Sequence, residues 1–279
     1  MGNQENWITK FFIEQAPLFG LMLKAKRERG VQEAHLIREI LQVHGVHPGS
    51  RVLDLGCGNG RISVPLAEEG YRVTCLDISR DYVNEALEYA RSRGVEDRVE
   101  GVVGDAWKVD ELVENTYNGV LIVWSSLLGY KSSPDSDIEL LRRIHKITVP
   151  KGKLFILKQV DRDLVISRNA QCETSVIMGD LGDLVVIQKP RFNPLSSILE
   201  DTWSYYKKNG DELVFLGKSS FQMRIYTLSE IVEMASKTGW SLEALYGNLE
   251  QGRYIPGRTR LNIVLSASPS NLGFPRGLK

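Results

Sequence analysis

The sequence has little cysteine, no net charge and no long apolar run, and each absence removes a class of protein. Three cysteines, Cys57, Cys75 and Cys172, stand among 279 residues. Their odd number and the lack of a Cys-x-x-Cys pair argue against a disulfide framework or a metal site. They predict reduced thiols in a cytoplasmic protein. With 35 Lys+Arg against 35 Asp+Glu, nothing pulls the whole chain toward nucleic acid or an anionic membrane. The longest uncharged stretch, Asn115 to Tyr130, is broken by Asn, Thr, Ser and Gly. It falls short of the roughly 20 apolar residues that cross a bilayer. The start, MGNQENWITK, lacks the basic and apolar regions of a signal peptide and the hydroxyl residue of a myristoylation signal. What is present is an ordinary globular composition, 42% apolar and 25% charged, with length enough for a sizeable core.

From about residue 50 to 160, short apolar runs alternate with amphipathic segments. Arg51–Leu55, Tyr71–Asp77, Arg98–Val103, Gly119–Trp124 and Lys153–Val160 read as strands. Their near-continuous apolar character is that of parallel strands buried on both faces. Ser79 caps a helix that Gly94 ends, and Ser133-Pro134 opens another, with acids early and bases late as the helix dipole favours. A helix is expected over Val31–His44, preceded by helical segments interrupted at Pro17. Residues 161–225 change character: short β-rich runs separated by GDLGD, PRFNP and NGDE predict an antiparallel insertion. Thr227-Leu-Ser-Glu230 is a capping box, followed by strands near Leu242–Tyr246 and Leu261–Ala267. The expected division is therefore an N-terminal helical lid segment at 1–30, a core at 31–160 and 226–268, the insertion at 161–225, and a flexible tail at 269–279. Alternation of this kind means an open, mostly parallel, doubly wound α/β sheet.

The segment Val52-Leu-Asp54-Leu-Gly56-Cys-Gly58-Asn-Gly60-Arg61 joins the first strand to a helix. Glycines there permit positive φ and close approach of a ligand to the backbone. A dinucleotide fingerprint needs glycine where Arg61 stands, and a phosphate-cradling loop needs Gly-Lys-Ser/Thr, so both are excluded. The second strand ends in Asp77 and the third in Gly104-Asp105-Ala106. All three elements fall at carboxyl ends of parallel strands, where ligands of open α/β sheets bind.

This Asp-x-Gly-x-Gly-x-Gly loop, with Asp77 and Asp105 following in order, resembles motif I and its partners in class I S-adenosylmethionine-dependent methyltransferases. The resemblance implies a Rossmann-like seven-stranded sheet with the last strand antiparallel, and the cofactor S-adenosylmethionine, leaving as S-adenosylhomocysteine. It implies cofactor contacts at Asp54, Gly56, Cys57, Gly58 and Gly60, at Asp77 and Ile78, and at Asp105, Ala106 and Trp107. Asp77 would accept the ribose hydroxyls, Asp105 and Ala106 would meet the adenine, and the backbone of Trp124 would meet the methionyl end. Lys26-Arg-Glu-Arg29-Gly-Val-Gln-Glu33 resembles the Arg-Thr-x-x-Glu helix start of glycine N-methyltransferase-like enzymes. It makes Arg29 the expected carboxylate anchor, with Arg27 as the alternative and Gly30 where threonine is usual.

The acceptor is expected beyond the fourth strand, around Trp124 to Tyr130, under the insertion. No Asn/Asp-Pro-Pro-Tyr or Pro-Cys motif stands there, which argues against the planar amino groups of nucleobases and against cytosine C5. Tyr130, Tyr226, Tyr246 and Arg260 are the expected acceptor-pocket residues. The competing explanations are a hydrophobic staple for Tyr226 and a common strand-end position for Tyr246. His145, a possible general base, lies inside a helix and is expected to pack instead. Basic stretches at Arg142–Lys158 and Gln251–Lys279 carry no interleaved aromatics, unlike a nucleic-acid platform. The function expected is methyl transfer to a small molecule, to nitrogen more than oxygen. An RNA substrate stands second, and a non-catalytic sensor or scaffold third. No membrane partner is expected, and the sequence leaves the oligomeric state open.

Overall fold

A computed structural model describes residues 4–124, 126–169 and 177–268. Cys172 and the expected tail at 269–279 lie outside the described residues. The strands are β1 (Arg51–Leu55), β2 (Arg72–Asp77), β3 (Val99–Val103), β4 (Tyr117–Val123), β5 (Thr148–Gln159), β6 (Ile177–Leu181), β7 (Leu184–Gln188), β8 (Arg191–Asn193), β9 (Ile198–Asn209), β10 (Glu212–Arg224), β11 (Trp240–Tyr246) and β12 (Leu261–Ala267). The α-helices are α1 (Gln4–Thr9), α2 (Ala16–Ala25), α3 (Arg27–Val43), α4 (Ser63–Glu68), α5 (Arg80–Ser92), α6 (Val109–Leu112), α7 (Pro134–Lys146), α8 (Arg162–Asn169) and α9 (Leu228–Ser236).

Seven strands form one sheet in the order β11-β12-β5-β4-β1-β2-β3. Its central pairings are parallel, and β12 runs antiparallel to both β5 and β11. The order reverses between β1 and β4, which opens a crevice at the carboxyl ends of those strands. Alternate strand residues feed two apolar layers. Leu53, Val120, Ile122, Leu154 and Ile263 pack with Leu140, Leu141 and Ile144 of α7 and Ile231 of α9. Val52, Val73, Leu121, Phe155 and Val264 pack with Ile37 and Leu41 of α3 and Ala86 of α5. A period of two against helices on both faces is the doubly wound arrangement expected from the apolar runs.

The local end signals operate as the sequence predicts. Ser79 Oγ accepts from the Tyr82 amide at the start of α5, and Thr227 and Glu230 exchange both capping-box bonds at α9. Helix α3 starts at Arg27 rather than Val31, and a π-helical turn over Lys10–Glu14 separates α1 from α2.

The second sheet, β10-β9-β7-β6 with β8 on β9, is antiparallel throughout. The insertion does not begin as β structure, however. Asp161 Oδ1 accepts from the Leu164 amide and caps α8, a helix that the charged run Asp161-Arg-Asp163 concealed. Helix α2 lies between the two sheets: Met22 packs with Leu184, Val186 and Tyr205 of the insertion, and the Tyr82 hydroxyl of α5 donates to the Ala16 carbonyl at 2.7 Å.

Candidate active site

The two sheets and the N-terminal helices enclose one cavity of about 820 Å³, near the upper end of the roughly 300–1,000 Å³ usual for small-molecule sites. Its floor is the β1–α4 loop. Gly56, Gly58 and Gly60 take φ of 79°, 55° and 74°, a left-handed path that a side chain would strain. Asp77 at the end of β2 holds this loop from the side. Its Oδ2 accepts from the Gly58 amide and its Oδ1 from the Ser79 amide, each at 2.9 Å. Asp54 accepts from the Ser63 hydroxyl at 2.5 Å. Burial raises both carboxyls to about 6. Two buried carboxylates without a cation of their own suit a ligand rich in hydroxyl and N–H donors.

Asp105 caps a 3₁₀ turn by accepting from the Trp107 amide at 3.0 Å. Ala106 and Trp107 are buried and line the cavity together with Ile78 and Cys57. Trp124, with φ of 71°, turns its ring into a cationic cluster. Lys26 Nζ, Lys158 Nζ and Arg61 Cζ lie 4.2, 4.4 and 4.8 Å from its centroid. Glu33 is the anion that gathers the cluster. It accepts from Arg61 at 2.7 Å, Lys158 at 2.6 Å and the Trp124 indole at 3.0 Å, and pairs with Arg29 at 3.2 Å. Burial alone would raise the Glu33 carboxyl, but Arg61 and Lys158 outweigh it and hold it down to about 2. Burial, with Arg61 and Arg29 nearby, lowers Lys26 to about 8. Lys26 and Arg61 line the cavity and present positive charge to an anionic group.

Of the expected site residues, Asp54, Gly56, Cys57, Gly58, Asp77, Ile78, Asp105, Ala106, Trp107, Trp124, Tyr130 and Arg260 share this cavity. Four do not. Gly60 packs against α5, where a Cβ would stand 2.8 Å from that of Ala86. Arg29 is mostly exposed and braces Glu33 from outside. The Tyr226 hydroxyl is buried and donates to Asp137 at 2.5 Å. Asp137 also accepts from the Gly129 amide, so this pair fixes the β4–α7 loop from behind. Tyr246 meets His44 Nε2 at 3.0 Å, and His44 in turn meets Glu243 at 2.6 Å; the trio lies away from the cavity. His145 packs edge-to-face on Trp240, as expected. Arg260 is held by the Lys158 carbonyl at 3.1 Å, and burial lowers it to about 10. Tyr130 is packed against Trp7 and Phe12, and burial pushes its hydroxyl well above the usual range.

The methyltransferase-domain family matches residues 52–152, which covers the glycine loop, Asp77, Asp105 and Trp124. Over these residues the chain is similar to a methyltransferase domain. The malonyl-[acyl-carrier protein] O-methyltransferase of Pectobacterium atrosepticum is 31% identical over 126 residues, 45% of each chain. The tRNA 5-carboxymethoxyuridine methyltransferase of Escherichia coli is 28% identical over 38% of this chain and 39% of its own. The chain thus spans less than half of these relatives' lengths. An S-adenosylmethionine-dependent methyltransferase from Clostridium acetobutylicum has the same fold, with a TM-score of 0.70 at 12% identity over 85% of this chain and 91% of that one. The family match ends at residue 152, inside β5, and leaves the rest of the seven-stranded sheet, the insertion and the N-terminal helices outside it. Among the described residues no helix is long and apolar enough to cross a membrane.

Residues that the sequence reading missed are Lys26, Glu33, Arg61 and Lys158 around Trp124, and the aromatic wall of Trp7, Phe11, Phe12, Trp203 and Phe221. Only the Trp7, Phe11, Phe12 spacing on one helical face carried a local signal.

Proposed function

We propose that this protein transfers the methyl group of S-adenosylmethionine to a small-molecule acceptor, at nitrogen in preference to oxygen. The observation that carries the reading is the shared lining: the glycine loop, Asp77 and the aromatic underside of the insertion are walls of one small-molecule-sized cavity. The two relatives are named for malonyl-[acyl-carrier protein] and for tRNA 5-carboxymethoxyuridine, so the shared core leaves the acceptor to the parts around it.

The bound cofactor supplies an activated sulfonium methyl, and transfer is an in-line displacement that needs alignment and exclusion of water more than a strong base. In this reading Asp77 accepts from the ribose hydroxyls, and Asp105 with the Ala106 amide takes the adenine. Lys26 and Arg61 take the carboxylate in place of Arg29. Tyr130 and Arg260 border the acceptor. The free, buried Cys57 and Cys75 accord with a reducing compartment, and we place the protein in the cytoplasm. Titration calorimetry with S-adenosylmethionine and S-adenosylhomocysteine tests the cofactor half. A small-metabolite extract and total tRNA, each incubated with methyl-labelled cofactor, test the acceptor half. Label incorporated into tRNA alone would overturn the small-molecule assignment.

A further inference from the structure

The insertion presents one face to the cavity through alternate residues of β9 and β10. Leu199, Asp201, Trp203 and Tyr205 are in phase on β9, and Asp201 stands directly opposite Phe221 on β10. A carboxylate is out of character in this row. Asp201 is only 7% exposed, and its Oδ2 accepts from the Trp203 indole at 2.7 Å. Its Oδ1 is buried with no group in hydrogen-bond geometry. The amides of Thr202 and Lys189 face the carboxyl without closing that gap, and burial lifts it to about 6. Arg168 and Arg260 reach the same cavity, yet among the described residues no lysine or arginine forms an ion pair with Asp201. A buried carboxylate left in this state is costly unless something pairs with it.

The surroundings say what that something is. Trp203 and Phe221 have ring centroids 5.5 Å apart, and Phe11 lies 5.6 Å from Phe221 and 6.0 Å from Trp203. Trp7 joins this group to Tyr130, at 6.1 Å from Phe221 and 5.0 Å from Tyr130. Electron-rich ring faces beside one anion attract ammonium groups and give nothing comparable to a neutral hydroxyl or a carboxylate. The row runs from Asp201 to Tyr130, which lies in the β4–α7 loop and lines the same cavity as the glycine loop.

We propose that Asp201, with the rings of Trp7, Phe11, Trp203 and Phe221, is the recognition site for the acceptor's amine, which enters as an ammonium cation on a flat apolar body. The assignment rests on the methyl-transfer reading and deepens it, since it selects basic amines over alcohols and acids. Asp201 binds the ammonium form as the anionic end of the pocket, and the nitrogen gains the lone pair that takes the methyl group only after it passes one proton to the Asp201 carboxylate and on to water.

The test uses the whole protein with and without S-adenosylhomocysteine, and three probes of one shape: 2-phenylethylamine, 2-phenylethanol and 3-phenylpropionate. Quenching of tryptophan fluorescence reads their binding. The amine is expected to bind at least about tenfold tighter than the alcohol, and the acid weakest. Asp201→Asn is expected to bring amine and alcohol within twofold while leaving S-adenosylhomocysteine affinity unchanged. Equal binding of amine and alcohol to the unaltered protein overturns the proposal without recourse to any variant. So does an amine preference that survives Asp201→Asn, or no binding of the amine. Failure of S-adenosylhomocysteine to bind strikes the methyl-transfer reading instead, and the probe ratio on the protein alone still decides the role of Asp201.

Discussion

The floor and the roof of one cavity are built from different materials. The floor is backbone and charge: a glycine loop braced by Asp77, and a four-cation cluster gathered on Glu33 and Trp124. The roof is a row of aromatic rings on a twisted antiparallel sheet, interrupted by one buried acid. A fixed, polar cofactor calls for amides and ions placed to within a hydrogen bond. A variable acceptor is held by surfaces that tolerate repacking around a few polar anchors.

The sharpest way to break this contrast is to remove the charge that organises the floor. Glu33→Gln leaves Arg61 and Lys158 partly buried without their anion, at an expected cost of about 3–5 kcal/mol. Thermal unfolding should then begin on the order of 10 °C lower. An unchanged melting temperature would show that the cations are solvated and the cluster is incidental. Next in size is Asp77→Ala, which removes an acceptor from the bound ribose and a brace from the Gly58 amide. Affinity for S-adenosylhomocysteine should fall roughly 100-fold by calorimetry, as loss of charge-assisted hydrogen bonds of about 1.5–3 kcal/mol each implies, while 2-phenylethylamine binding is unmoved.

Acidity separates the two kinds of carboxyl. Glu33, held near 2, contributes stability that is complete above the ordinary carboxylate range and lost as pH falls toward 2. Asp54 and Asp77, lifted from 3.8 to about 6, do the reverse: their contribution is complete below about 4 and lost as pH rises through 6. A ligand that donates hydrogen bonds to Asp77 favours the ionised form. S-adenosylhomocysteine affinity should therefore rise roughly tenfold between pH 5 and pH 7 and then level off. A flat profile over that interval would mean that Asp77 is ionised throughout. The smallest effects are expected from the two tyrosines that lie outside the cavity. Tyr226→Phe should cost about 1–3 kcal/mol of stability by removing one of the two hydrogen bonds to the buried Asp137 Oδ2, and Tyr246→Phe less than about 1 kcal/mol. Neither should change cofactor affinity, and a tenfold loss in either would return that residue to the site.

The legible and illegible parts of the sequence divide along the same line. The glycine loop and the caps at Ser79 and Thr227 are each written within a few neighbouring residues, and Asp77 stands at the end of the next strand, so local pattern and order reveal them. The Trp124 cluster draws Lys26, Glu33, Arg61 and Lys158 from four distant places, and no local pattern joins Lys158 to a glutamate 125 positions away. Tyr226 and Tyr246 misled for a related reason. Tyrosine at a strand end fits a pocket or a core equally well, and only the partners Asp137 and His44 decide which. Helix α8 stayed hidden because its cap, Asp161, sits in a charged run that reads as a turn. Asp201 sat in plain view as an acid in phase with Leu199 and Trp203, but an alternating strand does not say which of its faces is covered.

Gly30 carries a lesson for anyone who would engineer this protein. It lies inside α3, where exchanging glycine for alanine ordinarily gains about 1 kcal/mol and is the first change a stabilisation campaign would try. Here a Cβ would stand 2.5 Å from the Arg61 carbonyl oxygen. Helix α3 rests directly on the loop that carries Arg61, and the missing methyl is the clearance between them. Gly30→Ala should lower the melting temperature and loosen cofactor binding together. The same clearance leaves no room for a threonine side chain at this position, between Arg29 and the glutamate that meets Arg61.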